Sequence, residues 1–180
     1  DLGFNKKFLK EIWNIQETIL KLEFFKEEKY HSIKLEINSV FNILNSDMDD
    51  KFNFTVLAFT KSLESISSIY INEFTMRYIY DDSCVGIYNH NKNVIENFNN
   101  EKWYKSIENR LHNIMHEELE IEDKTMHKNL CELINCRNYM AHPNGREPNG
   151  CSLIKNPDEN NILIWFQMLN TIFSSVNRTI

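Results

Sequence analysis

One run of six residues gathers the side chains best suited to chemistry: Arg137-Asn138-Tyr139-Met140-Ala141-His142. Histidine, with an ordinary pKa of ~6.5, gives or takes a proton near neutrality, and each such role is worth about 10²–10⁴-fold in rate. Arginine keeps its proton, and its planar fork matches phosphate oxygens. Asn138 is placed to orient the histidine ring or a phosphate oxygen. The position of Arg137 is itself informative. Met126, Leu130 and Leu133 form an apolar stripe that would continue at residue 137, where a charge must be paired or turned to a polar cleft, because isolated burial costs several kcal/mol. A local break in the pattern is a reason to look for a site. Along a continuous helix five residues turn through about 500°, so Arg137 and His142 would point roughly 140° apart, while Asn138 and His142 would share a face. Convergence of Arg137 with His142 requires either an unwound helix end or a second copy of the motif across a dimer axis. The plainer role open to both is that of cations beside the last helix carbonyls, worth ~0.3–1 kcal/mol.

The elements that must position this run are helical. The 180 residues include only 4 Gly and 3 Pro, and all three prolines (Pro143, Pro148, Pro157) fall in one window that also holds Gly145 and Gly150. Many tight turns would consume far more of both, so most β-rich folds are excluded. Six segments carry apolar residues at spacings of three and four. Their stripes are Phe8, Ile12, Ile15, Ile19, Leu22; Ile33, Ile37, Val40, Leu44; Val56, Phe59, Leu63, Ile66, Tyr70; Trp103, Ile107, Leu111, Ile114; Met126, Leu130, Leu133; and Ile162, Trp165, Leu169, Ile172, Val176. Together they predict an all-α, single up-and-down bundle of about five to six helices spanning residues 1–180. Ser46–Asp50 supplies a turn, Glu117–Asp123 another, and residues 81–93 read as a surface loop. Alternation at Phe52, Phe54, Val56 and Ala58 leaves a short strand open at the start of the third segment. Trp13, Trp103 and Trp165 are expected in the core or at a dimer interface. Pro143 should stop the fifth helix at His142.

The net charge of −6 argues against a surface that is basic everywhere. Residues 124–155, however, hold five basic against two acidic side chains, +3 locally, which leaves −9 for the rest. Arg146 and Lys155 in this stretch could track a nucleic-acid backbone. Cys84, Cys131, Cys136 and Cys151 show no paired spacing, which suits a reducing compartment. The N-x-S/T matches at Asn53 and Asn177 are then coincidental. No apolar run is long enough to span a bilayer, so the reading is a cytoplasmic protein without membrane contact. A first residue of Asp suggests a piece of a longer chain. His112 and His116, with Glu117 and Glu120, and His127 with Cys131, have the four-residue spacing of metal ligands, but neither set completes a ligand signature. The expectation is solvated histidines, no metal and no cofactor.

Arg137-Asn138 followed by His142, at the end of the penultimate helix of a small all-α bundle, resembles the Arg-x4-6-His signature of HEPN domains, with Asn138 in the family's preferred polar position. Arg110 and His116 also satisfy the bare spacing, but in mid-helix and with Leu111 after the arginine. The resemblance implies a metal-independent endoribonuclease in which Arg137, His142 and Asn138 are catalytic, and in which motifs from two subunits meet at a homodimer interface. It further implies a role as a toxin or in anti-phage abortive infection, with an antitoxin or further domains as partners. RNA cleavage by its own 2′-hydroxyl needs a base, an acid for the leaving 5′-oxygen and a cation for the phosphorane. Two-fold pairing of the motif supplies all three. In one HEPN subgroup a tyrosine two residues after the histidine is a target for modification; Asn144 stands there instead. The competing reading is a catalytically silent HEPN-like module that dimerises or binds nucleotides within a larger protein.

Overall fold

A computed structural model describes residues 6–80, 85–89, 94–98, 107–142 and 153–180. Helix α1 (Lys6–Leu20) leads through two 3₁₀ turns into α2 (His31–Leu44), followed by the long α3 (Lys51–Tyr80). A two-stranded antiparallel hairpin, β1 (Val85–Asn89) and β2 (Val94–Phe98), pairs Val85 with Phe98 and Asn89 with Val94. Then come α4 (Ile107–Asn113), a π turn at Ile114–Glu118, α5 (Lys124–Ala141) and α6 (Glu159–Thr179).

The expected stripes build the core. Those of α2 and α6 are buried throughout, and Val56, Phe59, Leu63 and Ile66 of α3 are fully so. Helix α3 packs on α2, α4, α5 and α6, and α6 packs on α1 as well. The fold is therefore an all-α bundle, as the periodicity predicts, with one hairpin between α3 and α4. Of the segment read as a loop at 81–93, residues 85–89 form a strand paired with residues 94–98, and residues 81–84 and 90–93 lie outside the described residues. The open alternation at Phe52–Ala58 resolves as helix. There Thr55, Thr60, Ser62 and Ser67 lose their polarity cost by returning hydroxyl hydrogen bonds to carbonyls three or four residues back.

Helix direction follows from named contacts. Lys7 and Glu11 of α1 line one open groove with Asp158 and Asn160 at the start of α6. Beyond the other end of α1, Phe24 stacks on Phe173 at 6.3 Å and donates its N–H to Asn177 Oδ1 at 2.9 Å, near the end of α6. Helices α1 and α6 thus run parallel. Phe52 at the start of α3 meets Phe8 edge-on at 6.4 Å, at the same end of the bundle as the α6 N-terminus. There Asp158 and Asn161 form a reciprocal capping box, worth about 1 kcal/mol.

Trp165 is a core residue as expected, whereas Trp13 is 47% exposed and lies edge-on to Phe41. In α1 the inward position falls on Gln16, with Ile15 only half-buried. Trp103 lies outside the described residues. Cys131 is disulfide-bonded and Cys136 is a free, buried thiol, so the unpaired spacing of the cysteines gives no support for a reducing compartment. No described helix is long and apolar enough to cross a membrane.

Burial pushes the Cys136 thiol up to about 12. At pH 8 it is therefore protonated and closed to reagents, and we expect iodoacetamide to label Cys136 only after denaturant is added, as read by peptide mass spectrometry. Labelling in the native protein at the rate of a free thiol would contradict this.

Candidate functional site

Helix α5 begins where Asp123 accepts the Thr125 N–H at 2.8 Å, and it ends at Ala141 with His142 as the capping residue. His142 has φ −140° and ψ 69°, outside helical space, while its N–H still donates to the Asn138 carbonyl at 2.9 Å. Non-helical dihedrals are favoured for a residue that precedes proline, and the His142 side chain is exposed. Pro143 itself, Asn144 and Arg146 fall outside the described residues.

Arg137 is half-buried, and its Nη1 donates to Asn138 Oδ1 at 3.0 Å. The stripe-breaking charge is thus met by an amide dipole. The Asn138 side chain accepts from the guanidinium, and its carbonyl accepts from the His142 N–H. One residue therefore ties both members of the motif to the helix end. Among the described residues no hydrogen bond joins Arg137 to His142. Lys155 returns to the same helix end, its Nζ 5.3 Å from the Tyr139 ring centre. This cation–π contact adds about 0.5–1 kcal/mol at an exposed site and sets a second cation beside the motif. Sequence reasoning placed Lys155 in the basic stretch but gave Tyr139 no role. A tyrosine one turn before the helix stop was the available signal.

The second Arg/His match is occupied otherwise. Burial lowers the Arg110 guanidinium from its usual range, opposed by the attraction of Glu64 on α3, and His116 Nε2 lies 3.6 Å from Glu117 Oε1.

Of the histidines expected to be solvated, His116 is partly exposed and the other two are buried. His112 and His127 are 1% and 0% exposed, and their Nδ1 atoms are 2.7 Å apart. His127 Nε2 lies 2.9 Å from the Ile121 carbonyl, and His112 Nε2 lies 3.6 Å from Glu108 Oε1. The two i, i+4 pairings of the sequence are replaced by one contact between helices, invisible in either helix alone. Among the described residues no three His, Cys, Asp or Glu side chains are grouped to hold a metal ion.

The end of α5 can thus offer a phosphate one oriented guanidinium, one ammonium and one solvent-facing imidazole. The chain matches no family model, no curated protein and no solved structure.

Proposed function

We propose that the chain is a metal-independent endoribonuclease of HEPN type, cutting RNA by attack of its own 2′-hydroxyl at a composite site between two copies of the chain. The observation that carries this reading is the α5 terminus, where Asn138 holds Arg137 by its side chain and His142 by its carbonyl. In a two-fold pair one His142 takes the 2′-hydroxyl proton and the other protonates the leaving 5′-oxygen. The Arg137 forks neutralise the phosphorane. Lys155 and Arg146 track the RNA backbone. Such an activity fits a cytoplasmic toxin or an abortive-infection protein restrained by an antitoxin or by further domains.

The test incubates the purified protein with structured and unstructured RNA in excess EDTA. Expected are fragments with 2′,3′-cyclic phosphate and 5′-hydroxyl ends, from a protein that is dimeric at micromolar concentration. No cleavage, or a strictly monomeric protein that cleaves, overturns the composite site. A second reading, the catalytically silent module, draws on one observation: within a single chain Arg137 is engaged by Asn138, and nothing described joins it to His142. It predicts dimers or nucleotide binding with no cleavage.

A further inference from the structure

Helices α1 and α2 meet along a seam that breaks the packing rules of the rest of the bundle. Trp13 of α1 and Phe41 of α2 touch across it, their ring centres 4.8 Å apart and their planes at 61°. The indole is thus propped on Phe41 instead of lying flat over the seam, and 47% of the residue stays exposed. A tryptophan left open in this way forgoes much of its large apolar burial. The packing behind it is also imperfect. One turn further along α1 stands Gln16, 1% exposed, with neither the oxygen nor the nitrogen of its amide hydrogen-bonded. A buried amide without a partner costs stability. Two such breaks at one place are a reason to look for a ligand.

The charges around the two rings identify its class. Neighbours on a helix face lie three, four and seven residues away. At these spacings the cations around Trp13 are Lys6 and Lys10, both exposed, and the cation around Phe41 is Lys34, half-buried. The one carboxylate at these spacings is Glu17, which Lys21 holds at 2.9 Å. The seam therefore carries +3 from Lys6, Lys10 and Lys34, in a chain whose net charge is −6. Glu11 instead lines the open groove with Asp158, so α1 separates an acidic side from a cationic one. Helix α2 returns antiparallel to α1, since Phe52 just beyond it meets Phe8 at the start of α1. Lys6 and Lys34 consequently lie to opposite sides of the ring pair, each about 10 Å along its helix from its own ring. Cations flanking an open aromatic ring are the recognition chemistry of a single-stranded nucleic acid, whose phosphates pass the ammonium groups while a base stacks on the ring.

We propose that the α1–α2 seam is a subsite for single-stranded RNA, in which a base stacks on Trp13 and the flanking phosphates are held by Lys6, Lys10 and Lys34. It rests on the RNA-cleaving reading given above, and it holds the strand away from the reacting bond. Lys6 and Lys10 lie between Trp13 and the end of the bundle where α6 starts and Lys155 meets Tyr139. The strand runs from the seam towards that end, where Arg137 and His142 stand.

The test measures binding of the full chain to a labelled 2′-O-methyl RNA of about 12 nucleotides, a length that a single-strand-binding surface covers, by fluorescence polarisation in EDTA. This probe lacks the attacking hydroxyl, so binding is read apart from cleavage. Trp13→Ala is expected to weaken binding about ten- to hundredfold, the worth of one stacked base, and Trp13→Phe to keep most of it. Lys6→Gln, Lys10→Gln and Lys34→Gln should each flatten the slope of log affinity against log salt by about 0.7. Lys61→Gln, at an exposed position on α3, should leave that slope unchanged. Binding as tight in Trp13→Ala as in the wild type overturns the subsite, and so does a change of slope in Lys61→Gln equal to that in Lys10→Gln. If Trp13→Ala turns a dimer into monomers with the affinity per chain unaltered, the seam belongs to a second copy and the subsite is likewise overturned. Binding without cleavage of ordinary RNA overturns the nuclease and leaves the subsite standing; cleavage with full binding by Trp13→Ala does the reverse.

Discussion

His142→Ala is expected to slow RNA cleavage by about 10²–10⁴-fold while leaving the melting temperature nearly unchanged. The side chain is exposed, and only its backbone takes part in the cap of α5, so removing the imidazole removes a proton carrier without opening a cavity. Arg137→Lys keeps the charge and loses the fork, and should cut the rate nearly as far as Arg137→Ala. Asn138→Ala should do less, about tenfold, the worth of one ~1.4 kcal/mol orienting hydrogen bond to a charged group. If two copies of His142 serve as base and acid, the wild-type rate is bell-shaped in pH. RNA cleavage that survives in both Arg137→Ala and His142→Ala removes the nuclease reading altogether.

The largest loss of stability is expected from Phe166→Ala, about 3–5 kcal/mol. Phe166 is fully buried, its ring centre 5.2 Å from that of Phe59 on α3, so truncation opens a cavity where α6 meets the longest helix. Total stability for a domain of this kind is about 5–15 kcal/mol, so the variant stands near the edge of folding. A lowered urea midpoint with unchanged slope confirms it. Trp13→Ala, a larger truncation at a half-exposed site, should cost far less. A loss as great as that of Phe166→Ala would show that Trp13 is covered in solution.

Most of the bundle was legible in the sequence because its helices are amphipathic on their own: the stripes of α2, α3 and α6 needed no tertiary information. The hairpin was not, since five-residue strands in an Asn-rich setting offer too few alternations to outweigh a loop. Gln16 for Ile15 is a rotation of one residue, set by what α2 and α6 present to α1. At the candidate site, the helix stop at His142 could be read from Pro143, because proline geometry is local. The engagement of Asn138 by Arg137 could not, as it depends on rotamers at an exposed helix end. The His112–His127 contact was hidden for a deeper reason: the four-residue spacings within each helix are real, but pairing is decided by how α4 and α5 are laid together.

The parallel course of α1 and α6 bears on how the protein can be handled. A tag or tether joined ahead of α1 emerges at the end of the bundle where α5 stops and α6 starts, beside Arg137, His142 and Lys155. One joined after α6 emerges at the opposite end, by Phe24 and Asn177. Immobilisation through the C-terminal side should therefore leave the candidate site open to a long polymer and to a second copy of the chain, whereas an N-terminal fusion stands in the way of both.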